Sequence, residues 1–326
     1  MDQYRVGGCM REIGGYIELD KGLGDEYHKK AIALNSGRHC LEYLIRTKNI
    51  KKIYLPFFLC ASVAGVCRRL SCETDYYNID EKFTPIFNQE LQNKEYIYIV
   101  NYYGQLDNKV VFKYQNKYKN IIVDNSQAFF QYPVEGIDTI YTCRKFFGVS
   151  DGGYLYTDSR LDIKLPLDKS YDRIRYILGR FEMDAGTFYK ESVDNNKFFA
   201  DEELKGMSKL THNLLRNLNY EFIKNRRREN FEVLHNFLKK HNKSDIKPVD
   251  GAFMYPLYIR NGNELKRKLI QKKIFVPTLW SDVFNVADKD TIEWDFAENI
   301  VPLPIDQRYD TDDMMYIIEN VLEELK

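Results

Sequence analysis

The chain has 326 residues, with 48 basic and 48 acidic side chains and therefore no formal net charge. That balance supplies no global field for nucleic acid or an anionic membrane, and the local cluster Lys224, Arg226, Arg227, Arg228 sits in a helical pattern where a solvated face is the simpler reading. Hydrophobic residues at 44% and aromatics at 14% describe a globular chain long enough for a large core and two domains.

The six cysteines, Cys9, Cys40, Cys60, Cys67, Cys72 and Cys143, include no CxxC pair. Zinc spacing is absent, and scattered thiols suit a reducing compartment. His28, His39, His212, His235 and His241 show no metal spacing either. No signal-peptide pattern and no membrane-length apolar run occurs, so a soluble, cytoplasmic protein is expected.

Taken in order, residues 1–24 are glycine-rich and read as loop, with a short strand possible over 13–19. The apolar run Ala31-Ile32-Ala33-Leu34 ends in Asn35-Ser36-Gly37, and Leu41, Leu44 and Ile45 then recur at helical spacing. A Ser-Gly turn opening a helix presents free N–H groups and the positive dipole end, which suits a phosphate; serine is equally an ordinary N-cap. Strands are predicted over 52–55, 73–77, 96–101 and 120–124, with a helix over 62–70. Short buried-type strands separated by helix-length gaps predict a mainly parallel sheet flanked by helices. Ligands of such sheets gather at the C-terminal strand ends. Asn101 and Asp124 occupy two of those ends.

A short β-prone run, 138–141, leads into Thr142-Cys143-Arg144-Lys145-Phe146-Phe147-Gly148-Val149-Ser150-Asp151-Gly152-Gly153, and another, 154–157, follows. Lysine is depleted in strands and costly to bury. A lone lysine here reads as an exposed turn residue. A lysine that loses its charge by condensing with a carbonyl also belongs in such a place.

Residues 165–205 are polar and carry no clear pattern. A long apolar stripe predicts helix over 207–240. A polar linker, 241–250, is followed by a strand over 252–259, a helix over 264–271, a strand over 274–276 and a closing helix over 311–325. This tail reads as a small α+β domain, so the expected division is 1–240 for the large domain and 241–326 for the small one. Trp280 either lines a cleft or packs in the core or at the surface.

Three pieces lie in order at strand ends: Ser36-Gly37-Arg38, Asp124-Asn125-Ser126-Gln127 and Thr142-Cys143-Arg144-Lys145. Together they resemble fold-type I pyridoxal-phosphate (PLP) enzymes, and more narrowly the DegT/DnrJ/StrS family of sugar aminotransferases. Leu55-Pro56, Tyr103-Gly104-Gln105 and Val301-Pro302-Leu303-Pro304 extend the resemblance towards the C-terminus. It implies an α/β fold-type I PLP-transferase with the small C-terminal domain, acting as a homodimer. It also implies an aminotransferase that moves nitrogen from glutamate or glutamine to a nucleotide-linked keto-sugar.

The resemblance further implies roles for particular residues. Lys145 holds the cofactor and moves the proton. Asp124 faces the ring nitrogen and keeps it protonated. Gln127 bonds the ring oxygen. Ser36, Gly37, Arg38 and Thr142 hold the phosphate, and Phe58 stacks on the ring. Taken singly, Asp124 reads as a helix N-cap and Thr142 as a plain strand residue.

The chain departs from the family at several points. Arg38 stands where the phosphate turn has threonine, Ile140 replaces a serine five residues before the lysine, and Cys60 falls on the usual aromatic position. The partner-subunit asparagine motif is not recognisable before Met207-Ser208. The sugar dehydratase branch carries histidine where this chain has Lys145, which counts against that reaction. A non-catalytic PLP-fold or sugar-binding protein is the alternative from another class. A dinucleotide-binding Rossmann protein is disfavoured because no GxGxxG follows the first strand.

Overall fold

The computed structural model describes residues 13–326. Cys9 and the first part of the glycine-rich segment predicted as loop lie outside the described residues. Residues 13–19 form no strand.

The first half of the chain alternates strand and helix. In order it forms β1 (Ile32–Leu34), α1 (Gly37–Lys48), β2 (Lys52–Pro56), α2 (Ala61–Arg69), β3 (Glu73–Ile79) and β4 (Pro85–Ile86). Then come β5 (Glu95–Val100), α3 (Asn108–Tyr118), β6 (Ile121–Asp124), β7 (Asp138–Thr142) and β8 (Gly153–Tyr156). These strands build one eight-stranded sheet in the order β1-β8-β7-β6-β5-β2-β3-β4. The middle strands β7, β6, β5, β2 and β3 are parallel, and the central β2, β5 and β6 are largely apolar because both their faces are covered, whereas β3 begins with the exposed residues Glu73, Thr74 and Asp75.

The two strands at the β1 end make the site possible. β8 runs antiparallel to β7, with Thr142 opposite Gly153, and β1 runs antiparallel to β8, with Leu34 opposite Gly153. The last residue of β1, the first of β8 and the last of β7 therefore meet at one edge of the sheet. The C-terminal ends of β5 and β6 reach the same edge.

The second half is helical at first: α4 (Arg175–Glu182), α5 (Tyr189–Phe198), α6 (Lys209–Arg216) and α7 (Tyr220–Leu238). The polar stretch 165–205 thus contains two helices that its sequence pattern hides. The predicted helix over 207–240 is two helices, because Asn219 caps a new start by accepting from Phe222 N at 3.0 Å.

The chain ends with β9 (Met254–Tyr258), α8 (Gly262–Gln271), α9 (Ile292–Asn299), β10 (Ile300–Pro304) and α10 (Thr311–Glu324). β9 and β10 pair antiparallel as a separate two-stranded sheet. The strand expected over 274–276 does not form. Lys273 takes a left-handed φ of 61° and Ile274 N bonds back to Leu269 O at 2.9 Å, so this segment closes α8. Ile274 and Val276 are apolar because they enter a core, not because they pair in a sheet.

That core joins Phe231, Leu234 and Leu238 of α7 to β9, β10, α8 and α10. A larger core lies under the parallel strands and also takes Val283, Phe296 and Ile300 from the C-terminal region. Glu293 of α9 fastens this contact: its buried carboxylate accepts from Ile79 N at 2.6 Å and Asn78 Nδ2 at 3.2 Å. Among the described residues no helix is long and apolar enough to cross a membrane.

Candidate active site

The Ser36-Gly37 turn and the glycine-rich turn are built against each other. Gly152 N donates to Asn35 O at 2.8 Å, and Gly152 has a φ of +112° that side chains rarely adopt. A Cβ on Gly153 would lie 2.6 Å from the Ser36 carbonyl carbon, so only glycine allows this approach. Ser36 is fully buried and caps α1, with its hydroxyl accepting from His39 N at 3.4 Å. Gly37 sits beside Thr142, whose Cβ would stand 3.7 Å from a Gly37 Cβ. The hydroxyl of Ser36 is spent on the cap, and that of Thr142 has no hydrogen-bond partner among the described residues.

Lys145 follows β7 on a tight turn, in which Phe146 N and Phe147 N both bond Cys143 O at 3.0 Å. Its side chain is open to solvent, and Nζ donates to Ser126 Oγ at 3.0 Å. The Phe253 ring lies 5.6 Å from the same nitrogen. Surrounding protein strips water from the amine and pushes its pKa below the ordinary lysine value, opposed mainly by the Asp124 carboxylate.

Asp124 ends β6 and is buried. No helix follows it, which removes the N-cap reading. Its carboxylate instead accepts from Tyr98 Oη at 2.9 Å and Ser126 N at 2.8 Å. Gln127 is buried, and its Oε1 accepts from Tyr103 N at 2.8 Å. The Gln127 amide NH₂ keeps its donors free of any protein partner among the described residues. Asn101 is a brace: it links Asn125, Gln131 and Leu106 N across the ends of β5 and β6.

Arg38 reaches the end of α5, where Nη1 donates to Asn196 O at 2.9 Å and Nη2 to Asn196 Oδ1 at 3.2 Å. Phe58 is not presented to this cleft. Only 1% of it is exposed, and its ring packs on Trp280 at 4.4 Å, Tyr102 at 5.3 Å and Phe296 at 5.7 Å. Cys60, two residues on, is the exposed member of that run. Trp280 joins the chain's last third to the parallel-sheet core, and touches Tyr103 at 5.7 Å as well.

Predicted residues 36–38, 124, 127, 142 and 145 thus gather at the C-terminal edge of the sheet, and Phe58, though it follows β2 at that edge, has its ring buried in the core. Sequence reasoning missed four contributors: Ser126, Tyr98, Arg144 and Asn196. Ser126 lay inside a quoted motif, and only register brings its hydroxyl to Lys145. Beside Lys145 a cleft of about 790 Å³ opens between Tyr176 and Arg180 on one wall and Arg308 on the other. A depression of about 680 Å³ near Arg260 and Glu298 contains none of these groups.

No protein-family model matches the chain, and no curated protein sequence does. Solved structures do. A DegT DnrJ EryC1 StrS aminotransferase from Brucella abortus superposes with a TM-score of 0.63 at 17% identity, covering 93% of this chain and 91% of that one. The chain has the fold of that aminotransferase. The sugar aminotransferase CalS13 from Micromonospora echinospora gives 0.59 at 15% identity over 90% and 87% of the two chains. NtdA from Bacillus subtilis, solved with bound cofactor PMP, gives 0.63 at 12% identity over 90% and 72%. In this fold the mainly parallel sheet expected from the sequence is present, with β4 and β8 as its reversed strands and β1 running in the same direction as β7.

Proposed function

We propose that the chain is a PLP-dependent aminotransferase that transfers an amino group from glutamate or glutamine to a nucleotide-linked keto-sugar. The observation that carries this reading is the Lys145 amine, open to a cleft, 3.0 Å from Ser126 Oγ and coupled to the buried carboxylate of Asp124. The residues present fit the cofactor. A free amine can take its aldehyde, Gln127 has an unused amide donor, and the edge of α1 offers N–H groups to its phosphate. The similar structures from M. echinospora and B. subtilis, a sugar aminotransferase and a PMP-bound protein, point the same way.

When bound, PLP supplies an electron sink for the carbon that loses its proton. The chain's own groups do the rest. Lys145 would hold the cofactor by its aldehyde, and its free amine is placed to take a proton from the substrate carbon and return it. Its lowered pKa places more of the amine in the neutral, basic form near working pH. Ser126 accepts from the amine and aims it. Asp124, itself oriented by Tyr98 Oη and Ser126 N, would hold a proton at the ring nitrogen. Gln127 would donate its free amide N–H to the ring oxygen. Arg180, on the cleft wall, suits the phosphates of a nucleotide-linked substrate, whereas Arg308 nearby is already paired with Asp306 through Nε and Nη2 at 2.6 and 2.9 Å.

The reading includes a homodimer in the cytoplasm. The exposed apolar side chains on and beside α4, among them Phe181 at 93% exposure, Leu178 and Met183, suit burial by a second copy. The five described cysteines are all free thiols, as in a reducing compartment. The division at 240 stands as part of the same proposal.

The test is covalent. Protein incubated with PLP should be yellow, and borohydride should fix one pyridoxyl group on the peptide that contains Lys145. A label on another lysine, or none, refutes the assignment.

A further inference from the structure

Arg38 and Arg144 bring two positive charges to one place with nothing negative between them. Arg38 lies in the first turn of α1, and Arg144 immediately precedes Lys145. Arg38 Nη2 at 3.2 Å and Arg144 Nη1 at 3.5 Å bond the same neutral atom, Asn196 Oδ1. The Arg144 guanidinium lies over the Phe199 ring at 4.6 Å. Its Nε is buried and has no hydrogen-bond partner. Among the described residues neither arginine forms an ion pair. Asp151, the carboxylate that most favours the charge on Arg144, is spent on Ser208 N and Ser208 Oγ, both at 2.8 Å, and on the Thr211 hydroxyl. Burial first, and the Arg38 charge second, push Arg144 down to about 10.

Two guanidiniums that share one amide oxygen repel each other, and a dianion between them removes the cost. A phosphate monoester carries nearly two charges at neutral pH and three acceptor oxygens. The free N–H groups at the start of α1 and the unpartnered Thr142 hydroxyl beside Gly37 lie in the same corner.

We infer that Arg38 and Arg144 are the charge-bearing residues of a phosphate-ester site, held in place by Asn196 and supplied entirely by one chain. The inference rests on the proposed function, and there it assigns the cofactor's phosphate to this pair. Arg38, a departure from the familiar Ser-Gly-Thr turn, thereby acquires a role. The site needs no partner-subunit residue to balance its charge.

The experiment compares PLP with pyridoxal, which has the same aldehyde and no phosphate. Binding is read by absorbance and by borohydride labelling of Lys145, in wild type and in the double variant Arg38→Gln/Arg144→Gln. Charge-assisted bonds of this kind predict that wild type prefers PLP by about a hundredfold or more. The double variant should lose most of that preference, read as the ratio of the two affinities in the same protein, so that any effect on the Lys145 amine common to both aldehydes cancels. Arg38→Lys/Arg144→Lys, which keeps the charges, should recover part of it and guards against misfolding as the cause. An unchanged preference in the glutamine variant overturns the inference. Should neither aldehyde label wild type, the functional reading fails, and calorimetry with inorganic phosphate still decides the site. Heat of binding in wild type that the double variant loses supports it, and equal heats in both, or no heat in either, overturn it.

Discussion

Two groups of cations flank the turn that carries Lys145, and they are finished differently. Arg227, on α7, is 1% exposed. Its Nε donates to Gln307 Oε1 at 2.8 Å, Nη1 to the Ala252 and Phe253 carbonyls at 3.0 and 3.3 Å, and Nη2 to the Phe146 carbonyl at 3.3 Å. Gln307 Nε2 bonds that same Phe146 carbonyl at 2.8 Å. Each guanidinium nitrogen of Arg227 is committed to protein, so the residue bolts the turn to α7 and to the segments at 252–253 and 307. Burial pushes it down to about 10, as it does Arg144. Arg144, Arg38 and Lys145 face the other way, with donors in reserve and no carboxylate paired to them. The lowered pKa is common to both groups. What separates structure from chemistry is whether the donors are already used.

That contrast can be broken at either end. The largest effect belongs to Lys145→Ala. It should lower turnover by at least about 10²–10⁴-fold from lost proton transfer alone and leave the melting midpoint unchanged, because no core contact is lost. Steady-state assays and thermal melts check it, and a large fall in melting midpoint would make Lys145 a structural residue after all. Arg227→Met should do the reverse in kind. It leaves the Ala252 and Phe253 carbonyls and Gln307 Oε1 without their donor, while Gln307 still bonds the Phe146 carbonyl, and should cost about 3 kcal/mol of stability by urea titration. A variant as stable as wild type would mean that the bolt holds nothing.

A smaller effect tests a third buried cation. Lys266 on α8 is buried, donates to Ala297 O at 3.0 Å and is pushed down to about 8 by desolvation. Its folded pKa is below its unfolded one, so between pH 8 and about 10.4 the unfolded chain binds more protons and stability rises with pH. Against wild type, Lys266→Met should remove about 2 kcal/mol of that rise between pH 8 and 10. Identical slopes for the two proteins would contradict the assignment.

The sequence made the parallel strands and their chemistry-bearing ends legible because both depend on local pattern. Apolar runs of strand length named β2, β5 and β6, and Asp124, Thr142 and Lys145 follow directly from strand termini. What stayed hidden depends on tertiary approach. Asn196 reaches Arg38 and Arg144 from α5, in a polar stretch with no apolar stripe to announce a helix. Tyr98 reads as one more core residue until register sets its hydroxyl against Asp124. Phe58 and Cys60 lie in one short run, and only the fold decides that Phe58 turns inward and Cys60 outward. Ile274 and Val276 show the same limit in reverse: their alternation mimics a strand, and the backbone spends it on closing α8.

The central claim is that the carboxylate of Asp124 holds a proton on the cofactor ring while Lys145 moves one at the substrate carbon. Asp124→Asn tests it most directly, since the amide keeps the size of the side chain, its oxygen can still accept from Ser126 N, and its NH₂ can donate to Tyr98 Oη in place of the bond lost there. The measurement is the single-turnover rate at which glutamate or glutamine converts the bound cofactor to its amine form, in wild type and variant of equal melting midpoint. Loss of about 4 kcal/mol of transition-state stabilisation predicts a rate roughly a thousandfold lower, with cofactor still bound. A near-normal rate in the variant would contradict the account.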